Sequence, residues 1–242
     1  MVFIPISDDN PLRSIRFQWV TLGLVVANVL IYLVGVIGGG DDNPAWVASF
    51  ALVPSELFHL QGAGDASAPP APALMVPGWL TLITYQFLHS GALHVLTNML
   101  FLWVFGDNVE DAMGHLKFLV FYLLCGVAAG LAQAAALPSS QYPVVGASGA
   151  VAGVIAAYLM LHPKVRVWVL VFRFLPLRVA AGWVLGLWVV TQVAMVVMAS
   201  VDPGVAWWAH VGGLAAGAVL VLFMRRPGVP LFDRGSASPP II

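Results

Sequence analysis

Charge is what this sequence has least of. Of its 242 residues only 9% are Asp, Glu, Lys or Arg, against 60% hydrophobic. Soluble domains average about 25% charged. So few charges cannot clothe a water-facing surface of this size, which excludes an ordinary soluble globule. The formal net charge is -1, so no strongly basic surface points to nucleic acid. A single cysteine, Cys125, excludes an internal disulfide framework and a cysteine-only zinc site. It sits in an apolar run and reads as a small packing residue. Nothing in the pattern calls for a cofactor or a metal.

Long apolar runs are what the chain has instead. A membrane helix needs about 20 mostly apolar residues. Six segments qualify: Phe17–Ile37, Leu82–Phe105, Lys117–Ala136, Val145–Leu161, Val179–Ser200 and Val205–Met224. The runs are continuous rather than alternating, which favours helices over membrane strands. The first has the length of a span rather than of a signal-peptide core, and no clear small-residue cleavage site follows it. It is therefore read as a retained helix. The expectation is an all-α membrane protein: a six-helix bundle over residues 17–224, with a cytoplasmic segment 1–16 before it. Residues 225–242 read as a polar, disordered cytoplasmic tail.

Between the first two spans lies a long loop, Asp41–Gly78. Its first part, Trp46–Leu60, is amphipathic and suits a membrane surface. Its second, Gly62–Pro77, is rich in Gly, Ala and Pro and reads as irregular. Val165–Phe174, apolar with interspersed Lys164, Arg166 and Arg173, is expected at the cytoplasmic interface. Six spans put all ten basic residues on one side: Arg13, Arg16, Lys117, Lys164, Arg166, Arg173, Arg178, Arg225, Arg226 and Arg234. The opposite loops carry only acids, among them Asp41, Asp42, Glu56, Asp65 and Asp202. A miscount of helices would scatter the cations, so their agreement supports the count and places both termini inside.

Polar residues inside spans are costly and point to function. His89, His94 and Asn98 lie on the second span, Ser148 on the fourth and His210 on the sixth. All are near the outer ends. His94 and Asn98, four residues apart, share a helix face. A serine hydroxyl needs an adjacent base to act as nucleophile, and a neutral imidazole suits that task. No Asp or Glu lies in the outer half of any span, so a Ser148–His210 dyad replaces the usual triad. His94, Asn98 and the Ser148 N–H are candidate donors to an oxyanion. His89 is read as making a structural hydrogen bond to the adjoining loop. Gly149 and Gly153 on the fourth helix, and Gly213 and Gly217 on the sixth, form small-residue pairs that let helices approach closely. His59, His115 and His162 read as structural. Glu110, between Gly106 and Gly114, reads as a helix-end or loop organiser on the inner side.

These residues resemble the rhomboid family of intramembrane serine proteases. The likeness runs from His89 to about Gly217, through His89, His94 and Asn98; Gly106, Glu110 and Gly114; Gly146, Ser148 and Gly149; and His210, Gly213 and Gly217. The resemblance implies Ser148 as nucleophile, His210 as general base, and His94 and Asn98 at the oxyanion. It implies a membrane-embedded Asp41–Gly78 loop beside the second helix, and single-span membrane proteins as substrates, cut near helix-destabilising residues. Two positions depart from the pattern. Leu80-Thr81 follows Trp79 where the family often has Trp-Arg, and Ala152 stands where an aromatic often stacks on the histidine. Trp207 or Tyr158 is expected to compensate for the second.

Two other readings compete. One is a non-catalytic member that binds membrane clients. The other is a transporter or channel with a His-lined path, for which the expected internal repeats are not visible. No transit peptide is visible, so a bacterial inner membrane is the expected location. The oligomeric state is left open.

Overall fold

The computed structural model describes residues 3–38, 47, 49–58, 76–172, 174–198 and 205–233. Much of the Trp46–Leu60 and Gly62–Pro77 expectations lies outside these residues, as do Asp41, Asp42, His59, Asp65, Arg173, Ser200, Asp202 and Arg234.

The chain is a helical membrane bundle. Its long helices are α1 (Trp19–Ile37), α2 (Ala92–Met113), α3 (His115–Ala136), α4 (Ser148–Leu161), α5 (Ala181–Met198) and α6 (Trp207–Met224). Of these, α1, α3, α5 and α6 are long and apolar enough to cross a bilayer unaided. A fifth crossing results if α2 is joined to the short turns of Gly78–Phe87, from which it bends by 83°. Helix α4 has only 14 residues, or about 21 Å at 1.5 Å per residue. That is less than the roughly 30 Å hydrocarbon core.

The second expected span differs from a single helix over Leu82–Phe105. Its first part is a chain of short turns, His89 lies in the break, and the helix runs about two turns further than expected, to Met113. Continuity of apolar residues hid the break, because a membrane-embedded turn needs the same apolar dress as a helix. At the far end Gly114 takes a left-handed φ of 87°, which lets α3 start at once. Its missing Cβ leaves room for the Arg226 guanidinium.

A small three-stranded antiparallel sheet joins the bundle, in the order β1 (Phe3–Asp8), β2 (Arg166–Val171), β3 (Leu175–Ala180). The segment read as an interface stretch is thus the first strand of a β-hairpin that β3 completes, and the N-terminal segment adds the third strand. The run RVWVLV shows the period of two: Val167 and Val169 are buried in the core while Trp168 is exposed. Pro5 and Pro176 fall on the two edge strands, where a missing N–H is tolerated. Alternation over four residues in an apolar stretch is too short to separate from an amphipathic surface segment.

Within the tail expected to be disordered from Arg225, residues 225–233 are ordered. Arg226 N–H donates to Ala112 O, Phe232 N–H to Met160 O, and Asp233 N–H to Leu161 O. His162 Nδ1–H donates to Asp233 Oδ2 at 2.9 Å. These bonds occupy carbonyls at the ends of α2 and α4 that their own helices leave free.

Glu110 organises the same end. Fully buried, it accepts from Val20 N–H (3.0 Å), Thr21 N–H (2.8 Å) and Thr21 Oγ1–H (2.7 Å). It thereby supplies the first turn of α1 with acceptors for its orphan N–H groups, so its reading as a helix-end organiser holds, with α1 as the helix. Asp111 does the same for the approach to α1, accepting from the N–H groups of Arg13, Ser14 and Ile15.

Helices α3, α4 and α6 meet in a seam of small residues. A Cβ on Gly213 would lie 2.0 Å from Gly149 O, and one on Gly217 would lie 2.2 Å from Gly153 O. A Cβ on Gly149 would meet Ala129, and one on Gly153 the buried Cys125. Backbones touch here without side chains between them.

Candidate active site

The approach to α4 is built from the loops. Leu52 and Val144 form an antiparallel bridge, and Ser55 N–H donates to Ser140 O. Thr84 Oγ1–H donates to Phe50 O at 2.7 Å. At the Leu80-Thr81 departure, Thr81 Oγ1–H donates to Gly78 O. Hydroxyls and backbone pairing thus anchor the described part of the loop beside the second segment. Tyr85 O accepts from Gly146 N–H, and Tyr85 OH donates to Gly126 O. The first bond holds Gly146, two residues before Ser148, and the second ties Tyr85 to α3.

Ser148 is the first residue of α4 and His210 the fourth of α6. The Gly149–Gly213 contact sits one residue from Ser148 and three from His210, so backbone proximity carries the two side chains together. His210 Nε2 lies 2.8 Å from Ser148 Oγ. Gln133 Oε1 accepts from Ala209 N–H at 3.2 Å, holding the first turn of α6.

Gly146 has φ of 126°, a conformation side chains rarely adopt. The position a Cβ would take there is 2.8 Å from both His94 Cε1 and His94 Nε2, and 3.7 Å from Ser148 Oγ. The serine hydroxyl and the His94 ring therefore border one small space that the glycine keeps open. Ser90 Oγ holds the other His94 nitrogen, Nδ1, at 3.1 Å. Asn98 lies one turn further along the same face of α2, and its buried Nδ2 has no partner among the described residues. His89 stacks edge-on against His94, ring centroids 5.0 Å apart. Its Nε2 faces Ala147 N–H at 3.5 Å, a long contact to the loop that leads into α4.

Ser148, His210, His94, His89, Gly146, Gly149 and Gly213 are thus gathered at one end of the bundle. Tyr158 is not among them: it lies near the opposite end, against Phe105, His162 and Asp8. Trp207 does contact His210, edge-on at 5.9 Å, and Trp188 flanks the ring at 6.1 Å and 35°.

The sequence reading missed Gln192. This buried α5 side chain places Oε1 2.7 Å from His210 Nδ1. The signal was available: Gln192 is a strongly polar residue within the apolar run LWVVTQVAMVVM. Among the described residues, no group of three or more His, Cys, Asp or Glu could hold a metal ion. The arrangement offers a hydroxyl, an imidazole on it and an unpaired amide donor, Asn98 Nδ2, on the face of α2 that carries His94, which is equipment for acyl transfer.

A family model, the Rhomboid domain, matches residues 77–227. RHOMBOID-like protein 1 of Arabidopsis thaliana is 28% identical, over 92% of this chain and 59% of that protein. Rhomboid protease GluP of Bacillus subtilis (strain 168) is 30% identical, over 56% of this chain and 23% of the relative. RHOMBOID-like protein 6, mitochondrial, of Arabidopsis thaliana is 27% identical, over 86% of this chain and 69% of the relative. The chain spans little more than half the length of the first of these.

Proposed function

The chain belongs to the rhomboid family, and from that premise we propose that it is an intramembrane serine endopeptidase. The observation that carries the reading is the 2.8 Å contact between Ser148 Oγ and His210 Nε2. Ser148 Oγ attacks the scissile carbonyl carbon while His210 Nε2 takes the hydroxyl proton. The carbonyl oxygen becomes an oxyanion, for which His94 Nε2–H, Asn98 Nδ2–H and the Ser148 N–H are the donors. The Asn98 amide suits this task because it donates without adding charge, and an unpaired buried donor is costly unless it has such a use. The tetrahedral intermediate collapses as His210 returns its proton to the leaving amine, which departs as the new N-terminus. Water, deprotonated by His210, then splits the Ser148 ester and releases the new C-terminus.

The shortness of α4 supports water entry. Its serine end begins below where a full-length span would begin, so the site opens toward one aqueous face. We place the opposite end, which carries the cations, in the cytoplasm, with residues 1–16 and 225–242 on that side and residues 17–224 as the membrane domain. The proposed substrates are single-span membrane proteins, cut near helix-destabilising residues. A bacterial inner membrane is the proposed location, and fractionation that finds the protein in an organelle would replace it.

A fluorophosphonate probe tests the reading. It should label purified wild-type protein and leave Ser148→Ala and His210→Ala unlabelled, and cleavage of a model transmembrane substrate should follow the same pattern. A Ser148→Ala variant that cleaves as well as wild type would sink the proposal. Unlabelled wild-type protein that still captures membrane clients would shift the reading to a non-catalytic member.

A further inference from the structure

We infer that Gln192 is a positioning residue that fixes the tautomer and the ring orientation of His210; this rests on the reading of Ser148 and His210 as a catalytic pair. The inference begins with which way the amide points. One end of the Gln192 amide faces Trp188 O at 3.2 Å and Thr191 Oγ1 at 3.2 Å. A carbonyl oxygen only accepts, and Thr191 Oγ1 already donates its own proton to Trp188 O at 2.6 Å. Both neighbours are therefore acceptors, so this end must be the NH2. The other end, Oε1, is left facing His210 Nδ1 at 2.7 Å. An amide oxygen has no proton to give, so Nδ1 must carry one.

A neutral imidazole has a single N–H, so Nε2 is then bare. That is the nitrogen 2.8 Å from Ser148 Oγ, and only a bare nitrogen can take the hydroxyl proton. The chain of bonds is directional: Ser148 Oγ–H to Nε2, Nδ1–H to Oε1, and the amide NH2 to Trp188 O. The opposite tautomer would set a ring nitrogen lone pair against the amide oxygen and would aim N–H at the serine. In a serine hydrolase triad a carboxylate does this work. Here a neutral amide does it from a neighbouring helix, in a place where a carboxylate would be costly to bury.

The same bond answers what orients His210 when Ala152 offers no aromatic face. Trp188 and Trp207 flank the ring and limit its tilt. Neither distinguishes Nδ1 from Nε2, because flipping the ring by 180° preserves its aromatic contacts. Gln192 alone among these neighbours is sensitive to which nitrogen faces it. Its helix shares few buried positions with the bundle, namely Ala181, Leu185 and Gln192. Trp188 and Val189 supply the apolar packing of α5 near the site, so the polar contact of Gln192 is free to serve the ring.

The test is nitrogen NMR of 15N-histidine-labelled protein in detergent micelles, with His210 assigned by its loss in His210→Ala, paired with the rate of fluorophosphonate labelling. In the wild type the expected state is Nδ1 protonated and Nε2 bare. Gln192→Met keeps length and bulk but removes the acceptor. It should mix the two tautomers and slow labelling about 10-fold or more, with an unchanged thermal midpoint. Gln192→Glu keeps an oxygen in place and should label faster than Gln192→Met. A wild type with Nε2 protonated would overturn the inference. So would a folded Gln192→Met that labels within about twofold of wild type with the same nitrogen signals. If Gln192→Met fails to fold, the wild-type tautomer decides. Wild-type protein that resists labelling altogether is failure of the protease reading, which the NMR result, needing no activity, keeps distinct.

Discussion

The two ends of the bundle solve opposite problems. At the charged end nearly every polar group is spent on holding the chain together. Glu110 and Asp111 accept from five backbone N–H groups between Arg13 and Thr21. Arg178 forks onto Asp9 at 2.7 and 2.6 Å, and Asn108 Nδ2 spans Asp8 and Asp107. At the serine end the polar groups are fewer, and the backbone contacts of glycines do the holding. Donors there are left unspent, Asn98 Nδ2 above all. A site that must receive a developing charge keeps its donors free, and its stability has to come from elsewhere. That division places the bonds that hold the chain and the proposed reactive groups at opposite ends of the bundle.

The sharpest way to break the comparison is through the seam. Gly213→Val would push a side chain against the Gly149 carbonyl, and neither backbone can retreat without parting α4 from α6. We expect a stability loss of about 3 kcal/mol or more, read as thermal unfolding in detergent, together with complete loss of cleavage. A folded, active Gly213→Val would show that the close approach does not matter.

Asn98→Ala probes the unspent donor. Turnover should fall about 10²–10³-fold, the range for one oxyanion donor. The thermal midpoint should stay or rise, since a buried unpaired group is removed. A midpoint drop that accounts for the lost activity would make Asn98 structural and blur the contrast between the ends.

Glu110→Ala addresses the other end. It strands the N–H groups of Val20 and Thr21 and should cost about 2–3 kcal/mol. Fluorophosphonate labelling of the fraction that remains folded should persist. Loss of labelling in the folded fraction would mean that the two ends are coupled.

The smallest effect is at Asp8, in β1. Burial pushes its carboxyl up to about 6, against hydrogen bonds from Tyr158 and the Asn10 N–H that pull it down. The native state therefore holds that proton more tightly than the unfolded chain. The contribution is present in full below about pH 4 and is lost as pH rises through about 6. A shift of that size is worth on the order of 2 kcal/mol. Asp8→Asn should flatten the fall in thermal midpoint between pH 4 and 7 without changing labelling by the probe. An unaltered pH dependence would remove Asp8 as its source.

Much of this protein could be read from its residues alone. Helices α1, α3, α5 and α6 follow from unbroken apolar runs, because a bilayer allows them no other structure. Ser148 and His210 stood out because polar atoms are rare in such runs. The β-hairpin of β2 and β3 was not legible, since an apolar interface segment and a short strand share one composition. Its partner Phe3–Asp8 is more than 150 residues away, and no local pattern records that pairing. The break at His89 was hidden for the same reason, as was the order of residues 225–233, which depends on carbonyls of α2 and α4.

What the sequence by itself determined is the solvent: a chain with this charge deficit must bury itself in lipid. It also supplied the serine and the histidine. Only the tertiary structure decided that they meet, because the Gly149–Gly213 contact is a matter of two backbones and not of any side chain. Only it brought Gln192 to His210, since helices 18 residues apart in sequence at those positions come to face each other through packing. Periodicity assigns a residue to a face of its helix, and which helix that face meets is settled by the bundle.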